Sequence, residues 1–179
     1  TKGSISGKGD SLTFSKEHHS DGQQSLKFTD AAGLPASYYP MLHLTPNHAT
    51  GVSTCSFDVW LEPKAHFAHE WRDQASPYRA GPAFTLKDGK LLTQAGPLMD
   101  IPYGRWVRYE VIATLGQEST GTWTLKVTPV GGEAKTFGNL PFRHKDFRRV
   151  DWIGFISNAN EPSVFFLDQL SLTTTDPNR

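Results

Sequence analysis

Apolar and polar residues alternate with a period of two along most of the chain, as expected for strands with one face in a core. The clearest run covers residues 105–115, where valines, a tyrosine and an alanine fall at odd positions, and Trp106, Arg108 and Glu110 at even ones. Residues 121–130 alternate in the same way. No apolar stripe keeps the 3.6-residue period of a helix over three turns. The pattern therefore predicts an all-β protein.

Turn signals separate the predicted strands and indicate how they are arranged. Asp88-Gly89, which lies between two apolar runs, is typical of a two-residue β-hairpin loop. About ten strands without an internal repeat predict a two-sheet antiparallel β-sandwich of the jelly-roll type. We expect one domain over residues 1–172, followed by a polar linker stub or tail over 173–179. The strands are predicted near 11–16, 25–29, 38–44, 51–62, 66–72, 79–87, 105–115, 121–130, 149–157 and 163–173.

The same alternation predicts the core. Cys55, the only cysteine, shares parity with neighbouring apolar residues, so we expect a buried thiol and not a reactive one. A single cysteine excludes an internal disulfide framework and a cysteine-based zinc site. The residues expected to be largely buried are Cys55, Phe57, Val59, Val107, Tyr109, Val111 and Trp123.

Charge and composition exclude several classes of partner. Eighteen Lys and Arg balance eighteen Asp and Glu, so no global field attracts nucleic acid or anionic lipid. No apolar run approaches the roughly 18 residues of a membrane-spanning helix. We therefore expect neither a nucleic-acid partner nor a membrane. The chain starts at Thr1 without an initiator Met or an apolar signal segment, and we expect it to be a processed or excised piece.

Residues 66–82 concentrate charged and aromatic side chains at a density that is unusual for a sandwich. Strand alternation separates them into two faces, with the polar face formed by His66, Ala68, Glu70 and Arg72, and the other by Phe67, His69, Trp71 and Asp73. If the strands at 51–62 and 105–115 lie in the same sheet, their polar residues extend this face into a concave surface. Those residues are Asp58, Trp60, Arg108 and Glu110.

This surface has the groups that bind sugars, namely planar aromatic rings and charged side chains that hydrogen-bond hydroxyls in pairs. We expect Glu70, Arg72, Tyr78 and Arg79 to contact a ligand. Weaker candidates are His66, His69, Trp71 and Arg108. In the alternative interpretation, the charged residues form cross-strand ion pairs that only set the register, and Trp71 belongs to the core.

Three segments resemble concanavalin A-like jelly-roll domains: Asp21–Phe28, Val164–Leu172 and Trp152–Phe155. The stretch from His69 to Asp73, with Ser76–Pro82, is similar to a signature of a bacterial subgroup of such domains. The resemblance implies a non-catalytic carbohydrate-binding module appended to a polysaccharide-degrading enzyme. A polysaccharide ligand, a covalently linked catalytic domain, and a secreted or cell-surface location follow as expectations.

We do not expect the domain to be an enzyme. Jelly-roll glucanases that retain anomeric configuration need paired carboxylates, supplied by a Glu-x-Asp-x-x-Glu strand that this sequence lacks. A polysaccharide lyase is the main alternative, because His69, Arg72 and Tyr78 are suitable types for a base and a uronate neutraliser. The signature residues of jelly-roll alginate lyases are missing, however. A structural sandwich without a ligand is the third possibility.

We expect no cofactor. His66 and His69 cannot chelate one metal, because residues three apart on a strand face opposite ways. Asp30, Asn160 and Asp168 could supply oxygens to a structural calcium, although their spacing matches no dedicated calcium loop. The basic stretch 143–149 is expected to be a solvated loop, with contact to an anionic polysaccharide as its alternative.

Overall fold

The computed structural model describes residues 1–175, which form two antiparallel sheets of seven strands each. The predicted all-β, two-sheet fold is confirmed. Among the described residues, the only helix is the 3₁₀ turn Gly116–Glu118. No helix in that part of the chain is long and apolar enough to cross a membrane.

The strands are numbered along the chain. They are β1 (Lys2–Ser4), β2 (Ser11–Ser15), β3 (Ser25–Asp30), β4 (Met41–Leu44), β5 (Gly51–Leu61), β6 (Phe67–Arg72), β7 (Ala80–Lys87), β8 (Lys90–Thr93), β9 (Gly96–Asp100), β10 (Trp106–Leu115), β11 (Thr122–Pro129), β12 (Lys135–Pro141), β13 (Trp152–Ser157) and β14 (Ser163–Thr174). The first sheet has the order β1-β4-β13-β6-β7-β8-β9. The second sheet has the order β12-β11-β10-β5-β14-β3-β2.

The core lies between the two sheets and is built by the inward residues of the alternating strands. All seven residues that the alternation places in the core are buried, from Cys55 and Tyr109 to Trp123. Burial raises the pKa of the Cys55 thiol to about 12, which makes it inert at neutral pH. Phe57 packs between both sheets, with Tyr109 from the second sheet and Phe155 from the first around its ring.

Most strand ends agree with the prediction, and the exceptions lie at sheet edges and at the C-terminal end. The Asp88-Gly89 hairpin joins β7 and β8, and both residues have positive φ as a type I′ turn requires. Strands β1, β9 and β12 were not predicted, and β8 was indicated only by the hairpin turn before it. β14 continues to Thr174, and Thr175 hydrogen-bonds to Val52. Residues 176–179 of the predicted tail lie outside the described part.

The last two strands occupy the middle of the sandwich. β13 pairs with β4 and β6 in the first sheet. β14 pairs with β3 and β5 in the second. Each sheet is therefore completed by a strand that comes last in the sequence.

Register on the first sheet determines which side chains meet on its outer face. Trp152 of β13 is opposite Arg72 of β6. Two residues before Arg72 on β6, Glu70 is opposite Gly154 of β13 on one side and Ala83 of β7 on the other. The outer face of the first sheet thus carries a charged and aromatic row beside a row of small residues.

Candidate functional site

A groove of about 550 Å³ runs across the outer face of the first sheet. Its floor is low because Ala68, Ala83 and Thr85 lie on adjacent outward positions of β6 and β7. Larger side chains from other strands and loops rise around this floor. They belong to Tyr38, His66, Glu70, Arg72, Lys87, Gln94, Arg143 and Asn158. The groove is open to solvent.

Arg72 lies between two aromatic rings at one end of the groove. Its guanidinium carbon is 4.1 Å from the centre of the Trp152 ring and 4.3 Å from the centre of the Tyr78 ring. Both distances are within the range of cation–π contacts. Trp152 can lie flat there because the next outward residue on β13 is Gly154, where a Cβ would collide with the indole. Arg72 thus makes a cation–π contact with each ring.

Glu70 bridges two arginines beside this stack. Its Oε1 accepts a hydrogen bond from Arg72 Nε at 2.5 Å, and its Oε2 accepts one from Arg143 Nη1 at 2.6 Å. The Glu70 residue is only 8% exposed, whereas the Arg143 side chain is 54% exposed. One carboxylate therefore pairs with two cations, and this end of the groove keeps a local positive charge.

Arg143 reaches the groove because the basic stretch 143–149 is attached to the edge of β7. The Arg143 backbone N–H donates to the carbonyl of Gly81, and His144 donates to Ala80. Phe147 is fully buried against Gly81, where a Cβ would collide with its ring. Residues 143–146 and 148 are exposed, as predicted for a solvated loop, and the buried Phe147 ring anchors the loop to the protein.

The opposite end of the groove carries His66, Lys87 and Tyr38. Burial lowers the pKa of His66, and the nearby Lys87 ammonium lowers it further, so the imidazole is neutral near pH 7. Tyr38 is 47% exposed. This end offers a neutral imidazole, a phenol and a cation to a ligand.

His69 and Trp71, two weaker candidates, point into the core. Trp71 is fully buried, as the alternative interpretation predicted, and its Nε1 donates to His69 Nε2 at 2.9 Å. The His69 ring packs against Phe57 and Phe155. Burial lowers the pKa of His69 to about 3, partly opposed by the backbone of Gly154. Neither side chain is available to a ligand in the groove.

Arg79 is committed to an ion pair outside the groove lining. Its Nε donates to Asp73 Oδ2 at 2.6 Å, and the same carboxylate accepts the backbone N–H groups of Arg79 and Ala75. Burial would raise the pKa of Asp73, but these hydrogen bonds and the Arg79 charge hold it below its usual value. The pair closes the loop between β6 and β7.

Arg108 lies on the other sheet, so the single concave surface predicted from alternation is wrong. Strands β5 and β10 belong to the second sheet, whereas β6 belongs to the first. Arg108 faces outward there, donating to Asp58 Oδ1 at 2.9 Å and to Ser56 Oγ at 3.0 Å. The alternation was correct for each strand, but the core separates Arg108 from Arg72.

Asp30 and Asp168, two of the three residues suggested for calcium, do not converge. Asp30 accepts hydrogen bonds from Ser157 Oγ and the Ala159 N–H, and so fixes the loop after β13. Asp168 lies on β14, five residues beyond the partner of Asp30, or about 17 Å along the strand. It accepts hydrogen bonds from Ser20. Within residues 1–175 no cluster of three His, Cys, Asp or Glu side chains could hold a metal ion.

Sequence reasoning missed two residues that line the groove, Tyr38 and Arg143, and one that stacks on Arg72 beside it, Trp152. Trp152 could have been found, because its parity is opposite to that of the buried Ile153 and Phe155. Arg143 was noticed only as part of a basic stretch. Tyr38 precedes β4 in an irregular segment, and no local pattern places it over β6.

The fold defines a class: this is a jelly-roll, lectin-like β-sandwich. Comparison of the sequence with protein-family profiles and with curated proteins finds no match. Solved structures do match. An endo-β-1,4-glucuronan lyase from the fungus Trichoderma reesei is similar with a TM-score of 0.66 at 11% identity, over 95% of this chain and 89% of the lyase. The cellulose-induced protein Cip1 has a TM-score of 0.59 at 16% identity, over 94% of this chain and 87% of that one. Peanut lectin has a TM-score of 0.51 at 11% identity, over 96% of both chains. At these identities, the likeness shows the fold.

Proposed function

We propose that the domain is a non-catalytic module that binds a polysaccharide in the groove and targets a linked enzyme to it outside the cell. The observation that carries the proposal is the stack of Trp152, Arg72 and Tyr78 on an open sheet face. Tyr78 is 50% exposed, so a ligand can reach the stack. Aromatic rings cover the apolar faces of sugars, and a fixed guanidinium hydrogen-bonds their polar groups.

The charge of the groove favours an acidic polysaccharide, either a uronate or a sulfated one. Arg72, Arg143 and Lys87 line it, and Glu70 is the only carboxylate in the described lining. Partly exposed charges of one sign attract an oppositely charged chain and are screened over roughly 10 Å at 0.1 M salt. Binding is therefore expected to weaken as the salt concentration rises.

Two observations support a binding role over glycoside hydrolysis and over a lyase that uses His69 as its base. Retaining glycosidases use two carboxyl groups about 5 Å apart, and the described groove lining offers Glu70 alone. The histidine suggested as a lyase base, His69, is buried in the core. Its role there is to pack and to accept the Trp71 hydrogen bond.

Elimination at a uronate is the second candidate function, because another histidine is better placed. His66 lies in the groove with a lowered pKa, and Tyr38 and Arg143 line the same space. A neutral imidazole can accept a proton, and an arginine can neutralise a uronate. An assay for the ultraviolet absorbance of unsaturated products, with His66→Ala as the control, separates this function from binding alone.

Affinity electrophoresis and calorimetry against neutral and acidic polysaccharides test the proposal. We expect Arg72→Ala to weaken binding by about 5- to 150-fold, the range for losing a charge-assisted contact. Trp152→Ala is expected to weaken binding as well, because an aromatic ring that stacks on the ligand is lost. Arg108→Ala is the matched control, because it removes a similar arginine–carboxylate pair from the opposite sheet. Parent-like affinity in folded Trp152→Ala and Arg72→Ala variants would show that the ligand binds elsewhere.

A further inference from the structure

We propose that Arg72 is a carboxylate fork: its two terminal nitrogens bind the carboxylate of a uronic acid unit in a bidentate pair. This inference rests on the proposed polysaccharide-binding function and names the chemical group that the groove selects. It concerns recognition by a planar donor pair, which differs from a general attraction of anions.

Among the described residues, Arg72 donates a hydrogen bond from Nε only, and its two terminal nitrogens have no protein partner. A guanidinium has five N–H donors in a rigid plane, and Arg72 donates from Nε to Glu70. Within residues 1–175, neither Nη1 nor Nη2 of Arg72 makes a hydrogen bond to the protein. Nη1 and Nη2 form the edge that faces away from the side-chain stem, and this edge can bind two oxygens at once.

The orientation of that edge is fixed before a ligand arrives. The guanidinium lies over the Trp152 ring and over the Tyr78 ring, and its Nε donates a hydrogen bond to Glu70. Two ring contacts and one hydrogen bond leave the plane little freedom to rotate. A fork held in this way loses less conformational entropy on binding than a free surface arginine does.

The charges around Arg72 are not balanced within the site, which favours binding of a ligand carboxylate. Glu70 is shared between Arg72 and Arg143, so one negative charge faces two positive charges. A ligand carboxylate on the free edge of Arg72 would balance the second charge. A planar carboxylate presents two oxygens at the spacing of the guanidinium fork, whereas a lysine ammonium in the same place is a single point charge.

The test compares ligands that differ in one group. Alginate, polygalacturonate and glucuronan are screened as polyuronates, and the strongest binder is then compared with its methyl ester and with dextran sulfate. We expect the parent protein to bind the free polyuronate at least about 10-fold more tightly than the ester, since a bidentate charged pair is lost. Dextran sulfate is expected to bind more weakly than the free acid.

Arg72→Lys keeps the positive charge but removes the planar pair of donors. Arg108→Lys is the matched control on the opposite sheet. We expect Arg72→Lys to lose about 10-fold or more for the free acid and little for the ester, while Arg108→Lys leaves both affinities unchanged. If Arg72→Lys is unfolded in thermal melts, the comparison of acid and ester on the parent protein still decides the question.

Two outcomes overturn the inference but leave the proposed function intact. These are equal affinity of the parent for acid and ester, and a folded Arg72→Lys that binds the acid as tightly as the parent. Equal binding of dextran sulfate would also overturn it, because it would show attraction to any polyanion. If the parent binds none of the neutral or acidic polysaccharides, the proposed function itself fails.

Discussion

Acidification from pH 6.5 to 4 is expected to destabilise the sandwich through His69. This imidazole is 1% exposed in an aromatic cage, and burial lowers its pKa to about 3, against about 6.5 in an unfolded chain. Below pH 6.5 the unfolded chain therefore binds a proton that the folded protein does not. Stability is fully present above pH 6.5 and is lost as the pH falls towards 3, at about 1.4 kcal/mol per pH unit. At pH 4 the loss reaches about 3 kcal/mol, a large share of the 5–15 kcal/mol of a typical domain.

The measurement is the free energy of unfolding by urea at several pH values, for the parent and for His69→Gln. Glutamine does not titrate in this range and still carries an acceptor for the Trp71 N–H. The variant is expected to be less stable at pH 7, because the ring packing is lost, but to have a flatter pH profile. His43 and His66, whose pKa values burial also lowers, contribute equally in both proteins. Identical pH slopes in the two proteins would refute the assignment of the acid sensitivity to His69.

Three further predictions concern the groove, the β6–β7 loop and the cysteine. Gly154→Ala is expected to displace Trp152 and to weaken polysaccharide binding by about 2- to 30-fold, with a change in tryptophan fluorescence; parent-like affinity would contradict it. Arg79→Ala should lower the free energy of unfolding by about 1–2 kcal/mol, because Asp73 loses its charged partner, and should leave affinity unchanged. A loss of affinity without a loss of stability would instead make Arg79 a ligand contact. Cys55 should not react with a thiol reagent until urea unfolds the protein, and modification of the native protein would contradict its burial.

The fold was predictable where a strand has one buried face. In β5 and β10 every second residue is buried, and this alternation is the signal that the sequence carries. The unpredicted strands β1, β9 and β12 lie at sheet edges, and most of their residues are exposed or half-buried. In these three strands neither face is consistently covered by the core, so their side chains show no alternation of buried and exposed residues.

The groove was predictable only in part, because alternation gives the face of a strand but not its sheet. It correctly placed Glu70 and Arg72 on a polar face opposite His69 and Trp71. It could not show that Arg108 belongs to the other sheet, since strand pairing is a long-range property. Tyr38 and Arg143 reach the groove from loops far from β6 in sequence.

The central positions of β13 and β14 have a consequence for how the protein folds during synthesis. Until these strands emerge from the ribosome, β4 and β6 have no partner between them, and β3 and β5 expose unpaired backbone edges. Neither sheet can be completed without its central strand, so the nascent chain carries unpaired strand edges for most of its synthesis. Pairings that join distant parts of a chain also place an all-β domain among proteins that fold in milliseconds to seconds. The interval before residue 174 is available is therefore when the chain is most exposed to aggregation.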